Sequence, residues 1–325
     1  MAILVTGCAG FVGAHVTKAL IDRGERVVGL DNLDPYYDVR LKQARLERLC
    51  AHDRFRFERL DLTDREALAG LLDREADIAG IVHLAAQAGV RHSLVDPYAY
   101  VQANVLGQVT LLEAARRLRR LDHLVYASSS SVYGLNEHLP FRESERVDRP
   151  GSLYAATKRS AELISHAYGH LFGLPQTGLR FFTVYGPWGR PDMAYYTFAK
   201  AILDGTEITL YEGEGLARDF TYVDDVVDGV LRVLDHPPAG GDAPGRTFNL
   251  GNDRPEPVAL LVSLLEQALG RVARVRRIPR PATDIEATWA SVDAVETLTG
   301  WRPSTRLQDG IPRFVDWFRS YATAG

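Results

Sequence analysis

The chain has 325 residues, 46% hydrophobic and 25% charged, which excludes a disordered or fibrous protein and, at roughly 150 residues per domain, suits about two domains. With 42 acidic against 38 basic side chains the formal net charge is −4, so nothing sequence-wide draws the chain to nucleic acid or to an anionic membrane. The two cysteines, Cys8 and Cys50, stand far apart in no metal-ligand spacing, which argues against a disulfide framework or any metal site and fits a reducing cytoplasm; the absence of a basic leader and of a long apolar run predicts a protein neither secreted nor anchored.

Strands are expected at Ala2–Thr6, Arg26–Leu30, Arg54–Arg59, Gly80–His83, His123–Ser128 and Gln176–Arg180. Helices at Val12–Arg23, Asp64–Arg74, Tyr98–Leu118 and Ser152–Phe172 lie between them, long enough to cross back over a sheet face. Handedness then fixes the topology. After Phe182 the pattern breaks into Gly- and Pro-rich loops, followed by helices at Val258–Leu269 and Leu307–Tyr321. The expected fold is α/β, a Rossmann-type doubly wound parallel sheet over residues 1–182 with a smaller C-terminal domain over 183–325. The boundary is blurred, because Asp224–Leu234 and Thr247–Gly251 read as a helix and a strand able to rejoin the first sheet, so that 223–250 belongs with it.

The first strand leads into Gly7-Cys-Ala-Gly10-Phe11-Val12-Gly13, whose glycines permit a tight turn and let backbone N–H groups approach a pyrophosphate at a helix N-terminus. A glycine-rich turn alone is weak evidence for a ligand. Asp31, at the end of the second strand, is placed to accept hydrogen bonds from adenosine ribose hydroxyls and to repel a 2′-phosphate, which favours NAD over NADP. Asp61-Leu62 after the third strand suits the adenine edge, or is an ordinary solvated turn. Tyr154-Ala-Ala-Thr-Lys158 opens a helix, where the spacing puts phenol and ammonium on one face. A free tyrosine has a pKa near ~10, and a neighbouring ammonium stabilises its phenolate. Upstream, Ser128-Ser-Ser-Ser131-Val-Tyr133-Gly134 places hydroxyls at a strand's C-terminal end, where open α/β sheets bind ligands.

In that order the motifs Gly7-x-x-Gly10-x-x-Gly13, Asp31, Leu84-Ala85-Ala86, Asn104, Ser128-Ser129 and Tyr154-x-x-x-Lys158 resemble those of the extended short-chain dehydrogenase/reductases over nearly the whole length. The resemblance implies that Ser129 hydrogen-bonds the sugar hydroxyl, Tyr154 is the acid/base, Lys158 binds the nicotinamide ribose and tunes Tyr154, and Asn104 supports the site. It also implies an NAD site formed by Gly7, Gly10, Phe11, Val12, Gly13, Asp31, Asn32, Asp61, Leu62, Leu84, Ala85 and Ala86.

Within that family, Asp31-Asn-Leu-Asp-Pro-Tyr-Tyr37, Ala85-Ala-Gln-Ala-Gly-Val-Arg91 and Arg180-Phe-Phe-Thr-Val-Tyr-Gly-Pro-Trp-Gly-Arg-Pro-Asp-Met193 are similar to motifs of UDP-glucuronate 4-epimerases. This implies a UDP-sugar substrate held by Arg91, Ser129 and Ser130, with Thr183 and Arg190 on its carboxylate and Arg218 and Asp284 at the uridine diphosphate end. Pro281-Ala-Thr283 departs from the subgroup's pattern just before Asp284. The family also implies a homodimer through the helices Tyr98–Leu118 and Ser152–Phe172. UDP-glucose/UDP-galactose 4-epimerisation is the alternative, since only recognition at C6 differs. UDP-glucuronate decarboxylation is set against by Ser130 and Ser131, which stand where those enzymes carry an acid. A silent NAD-sensing protein would have no need of Ser129, Tyr154 and Lys158 together.

Overall fold

β1 (Ala2–Thr6) is buried at every position, as a strand covered on both faces must be. In the computed structural model, which describes residues 1–213, 215–239, 245–280 and 285–323, it is followed by β2 (Arg26–Asp31), β3 (Phe55–Arg59), β4 (Ile78–His83), β5 (His123–Ser129) and β6 (Gln176–Phe181). Later strands are β7 (Thr183–Tyr185), β8 (Glu207–Tyr211), β9 (Ala217–Tyr222), β10 (Arg246–Leu250), β11 (Pro255–Pro257) and β12 (Arg274–Ile278). Seven of them form one parallel sheet in the order β10-β6-β5-β4-β1-β2-β3. The chain reverses its direction of travel across the sheet between β1 and β4, which opens a crevice at their C-terminal ends. The sequence predicts six of these strands directly. The seventh is the rejoining segment, for β10 pairs with β6, and Arg246–Leu250 begins one residue earlier than expected.

Before β6 the helices are α1 (Phe11–Asp22), α2 (Val39–Cys50), α3 (Arg65–Arg74), α4 (Pro97–Val101), α5 (Gly107–Ala115) and α6 (Leu153–Phe172); after it come α7 (Ala194–Asp204), α8 (Val223–Leu234), α9 (Val258–Leu269), α10 (Asp293–Thr299) and α11 (Leu307–Thr323). Leu68, Leu71 and Leu72 of α3 and Leu111 and Leu112 of α5 fill the core on one face. On the other face, Val16 and Leu20 of α1 meet Val226, Val230 and Val233 of α8. That second core continues without a break through Phe182, Tyr185 and Tyr195 to Trp301 and Phe314, so the packing marks no clean boundary where the sequence pattern breaks after Phe182. The later segment adds a three-stranded sheet, β11-β9-β7, and the parallel pair β12-β8. Among the described residues no helix is long and apolar enough to cross a membrane.

One expectation is corrected and one helix was not foreseen. The single helix Tyr98–Leu118 is instead α4, a π-helical turn over Gln102–Leu106, and α5, because the widened turn carries Asn104 inward to the backbone of Gln87. The sequence also gave no signal for α2. Its inward face carries Lys42 and Arg45 beside Leu41, Leu46 and Leu49, so the apolar stripe that betrays an amphipathic helix is interrupted.

The turn between β1 and α1 leaves no room for a side chain at its glycines. Gly7 has φ 72°, and a Cβ there would lie 2.6 Å from the Ala85 backbone nitrogen; one on Gly13 would lie 2.0 Å from the Gly7 carbonyl oxygen. Gly13→Ala should therefore push α1 off the turn at a cost of about 1–3 kcal/mol. A melting temperature equal to that of the wild type would show that the turn can yield.

Candidate active site

The crevice at the C-terminal ends of β1 and β4 opens into a cavity of ≈ 350 Å³. Its lining joins the glycine turn (Gly7, Gly10, Phe11, Val12, Gly13) to Asp31, Asn32, Asp61, Leu62, Leu84, Ala85 and Ala86, and continues to Ser129, Tyr154, Lys158 and Arg190. Twelve positions predicted for the cofactor and four predicted for chemistry or substrate thus face one space. Gly10 is the N-cap of α1, and the first-turn N–H groups of that helix are available to an anion. Asp31 is buried, its two carboxylate oxygens accepting from the N–H of Ala9 (3.1 Å) and of Leu33 (2.8 Å), which fixes its orientation and leaves lone pairs for ribose hydroxyls. Asn32 donates to Asp61 at 2.7 Å.

At the other end, Ser152 caps α6 by accepting from the Ala155 N–H, and the first turn of that helix presents Tyr154 while Lys158 lies one turn on. Lys158 is buried, its Nζ donating to the Ala127 carbonyl at 3.0 Å, and burial pulls its pKa down to about 8, opposed by the charge of Glu162. Burial pushes the Tyr154 phenol above its ordinary pKa, opposed by hydrogen bonding with Ser129 and then by the positive charge of Arg190. Sequence reasoning expects Lys158 to lower the phenol pKa. In the structure burial outweighs the neighbours, and the cation acting on Tyr154 is Arg190.

Behind the cavity wall, Asn104 accepts from the Gln87 N–H at 2.8 Å and donates to the Gln87 carbonyl (2.9 Å) and the Thr157 hydroxyl (3.0 Å), tying the Leu84–Arg91 loop to α6. Beneath β5, Glu162 accepts from Ser128 (2.6 Å) and pairs with the buried Arg180 (2.8 Å), which in turn donates to Tyr133.

Arg190 is already engaged. Its Nε and Nη2 donate to Asp192 at 3.0 and 2.5 Å, Nη2 also donates to the Ala88 carbonyl at 3.4 Å, and Tyr36 donates to the Asp192 carboxylate at 3.0 Å, so the open edge of the fork is Nη1. Four other predicted contacts do not line the cavity. Arg91 is exposed and donates to the Tyr211 hydroxyl (2.6 Å); Ser130 starts a short 3-10 turn; Thr183 opens β7, paired with Phe220; Arg218 donates to the carbonyls of Ala217 and Glu286. Asp284 and the Pro281–Thr283 departure lie outside the described residues. Sequence reasoning missed Tyr100, whose hydroxyl donates to the Gly89 carbonyl at 2.6 Å and whose ring meets that of Tyr154 edge-on at 6.0 Å. It also missed Lys42 on the cavity wall.

The profile of the NAD dependent epimerase/dehydratase family matches residues 3–251, and the chain belongs to that family. UDP-glucuronate 4-epimerase 1 of Arabidopsis thaliana is 49% identical over 99% of this chain and 77% of its own. A probable UDP-glucuronate 4-epimerase of Rhizobium meliloti is 46% identical over 98% of this chain and 97% of its own. The crystal structure of UDP-glucuronic acid 4-epimerase from Bacillus cereus in complex with UDP-glucuronic acid and NAD superimposes with a TM-score of 0.91 at 34% identity, covering 99% of this chain and 100% of that one.

Lys158 yields a prediction about stability. Its folded pKa of about 8 lies below the unfolded value of 10.5, so below pH 8 the chain buries a cation in the folded state, and the penalty is relieved as the pH rises from 8 towards 10.5. The shift corresponds to about 3 kcal/mol, partly offset by the bond to Ala127, worth about 1–2 kcal/mol. Lys158→Met should melt at a higher temperature than the wild type at pH 7, with the gap closing above pH 8. A variant less stable at pH 7, or a gap that ignores pH, would refute the burial penalty.

Proposed function

We propose that the chain catalyses NAD-dependent C4 epimerisation of UDP-glucuronate to UDP-galacturonate through a 4-keto intermediate. The observation that carries this is one cavity shared by a glycine turn, a buried ribose-facing carboxylate, a Ser129–Tyr154–Lys158 group and the open edge of an arginine. The relatives and the Bacillus cereus complex support the same reading.

The residues present fit NAD: the turn Gly7–Gly13, whose glycines present bare backbone, and the N-terminus of α1 would cradle the pyrophosphate, Asp31 the adenosine ribose, Asn32, Asp61 and Leu62 the adenine side, Leu84–Ala86 the wall, and Lys158 the nicotinamide ribose. When bound, NAD supplies the reversible hydride acceptor and a cationic ring beside the phenol. Tyr154 Oη takes the C4 hydroxyl proton and later returns it; the Ser129 hydroxyl orients the sugar and the phenol; Asn104 holds the loop opposite. The open edge of Arg190, with Thr183 close by in the chain, reads the sugar carboxylate, which favours UDP-glucuronate over UDP-glucose. Arg91 and Ser130 are assigned to the sugar side, and Arg218 and Asp284 to the uridine diphosphate. Residues 1–182 with 223–250 form the cofactor domain and the remainder of 183–325 the substrate domain.

The chain is further proposed to work in the cytoplasm as a homodimer. Leu94, Val95, Tyr98 and Val101 leave an apolar surface 45–79% exposed on and before α4, next to α6, where Leu163, Leu171 and Phe172 are also exposed. Light scattering on the purified protein should give twice the monomer mass; a monomer at micromolar concentration rules the dimer out.

The test of function is proton NMR of the purified protein mixed separately with UDP-glucuronate and UDP-glucose. UDP-galacturonate should appear in the first tube, and Tyr154→Phe should slow it by ~10²–10⁴-fold, the usual contribution of a general acid/base group. Turnover of UDP-glucose alone would replace the substrate assignment, and a Tyr154→Phe enzyme within a few-fold of wild type would remove the base.

A further inference from the structure

Arg45 on α2 is 1% exposed, and among the described residues no carboxylate pairs with it. A guanidinium buried without a counter-ion is an expensive arrangement that persists only when its hydrogen bonds are complete. Here they are. Nε donates to the Trp188 carbonyl (3.1 Å), Nη2 to the carbonyls of Trp188 (2.6 Å) and Gly189 (3.2 Å), and Nη1 to the Ala9 carbonyl (3.0 Å) and the Tyr37 hydroxyl (2.6 Å), so that five bonds employ all five N–H groups.

Those acceptors belong to three separate segments: the glycine turn, the loop after β2, and the two residues that precede Arg190. Trp188 has φ 60°, a left-handed conformation that a bulky side chain holds only under restraint. Its carbonyl takes two bonds from Arg45, and its ring lies 4.7 Å under the guanidinium of Arg48 from the same helix. The direction of the chain at Arg190 therefore follows from how α2 holds Trp188. The Arg190 side chain is steadied separately by Asp192, and no other bond from a side chain to the Trp188 or Gly189 carbonyls is present among the described residues.

We propose that Arg45 is a positioning residue for sugar recognition: its guanidinium binds the Trp188 and Gly189 carbonyls to the Ala9 turn and so sets Arg190 at the correct depth and angle beside the cofactor cleft. This rests on the reading of Arg190 as the group that meets the sugar carboxylate. A lysine cannot replace it, because a single ammonium has three donors around one point and cannot span carbonyls on separate segments.

The test uses full-length wild type, Arg45→Met and Arg45→Lys, each loaded with NAD, with two readouts. Amide hydrogen exchange reports whether residues 186–193 are held, and steady-state kinetics with UDP-glucuronate separate KM from kcat. In Arg45→Met, exchange in that segment should quicken by roughly tenfold or more while the strands of the main sheet exchange as before, and KM should rise roughly tenfold with a smaller change in kcat. Arg45→Lys should fall between, and it carries the test if the methionine variant does not fold. Unchanged exchange at 186–193 overturns the proposal. So does faster exchange with an unchanged KM, which would make Arg45 a purely structural residue. A wild type that leaves UDP-glucuronate untouched refutes the substrate reading alone, and the exchange readout then still decides whether Arg45 holds the segment.

Discussion

The site depends on a backbone contact from which side chains are excluded. Gly13, in the first turn of α1, lies directly against the Gly7 carbonyl, and Gly7 lies against the backbone at Ala85, two residues beyond the end of β4. These contacts bring the N-terminus of α1 to the point where the strand order reverses, the location at which a doubly wound sheet binds its ligand. The rest of the cofactor side follows from that placement. The Ala9 N–H falls within reach of Asp31, and its bond orients the carboxylate before any ribose arrives. A cleft arranged in this way needs little reorganisation on binding, which lowers the entropic cost of association.

The catalytic end is organised by the opposite principle, burial of charge. Burial lowers the pKa of Lys158 and raises that of Tyr154, so without cofactor the protein favours the neutral form of each, and it is the Lys158 cation that bears the penalty. Both groups are held in a rigid surround. Glu162 and Arg180 form a buried pair that fixes Ser128, and Asn104 pins the facing loop to α6. Strained or poorly solvated groups persist where neighbouring structure over-determines them, and they gather at sites whose chemistry uses them.

The parts of this arrangement legible in the sequence are those built from local backbone chemistry. Gly7, Gly10 and Gly13 announce the turn, Ser152 announces the start of α6, and alternation of strand and helix announces the sheet. What stayed hidden depends on residues distant in the chain. Arg45 meets Trp188 across 143 positions, and its helix escaped notice because charged side chains face inward. The π turn at Asn104 has no sequence signature separate from the helix around it. The short strands β7 and β11, each three residues long, offer too few positions for a period of two to register. The pairing of Arg190 with Asp192 is local, yet the motif reading had assigned the arginine wholly to substrate and left no role for its neighbour.

That pairing bears on how a single site could accept both faces of one sugar. Epimerisation requires the ring to turn between oxidation and reduction, so the C6 carboxylate must be met in two orientations. A guanidinium free on all sides would grip a carboxylate through two parallel hydrogen bonds, the strongest and most directional form of the contact, and would favour one orientation over the other. With Nε taken by Asp192 and Nη2 shared between Asp192 and the Ala88 carbonyl, Arg190 offers only its Nη1 edge, and the Asp192 carboxylate offsets part of its charge. Contact through one edge retains selectivity for an anion over a hydroxymethyl group but constrains its angle less. On the proposed reading, Asp192 weakens the hold on each orientation so that neither becomes a trap, while Arg45, acting on the backbone, keeps the weakened contact in the right place.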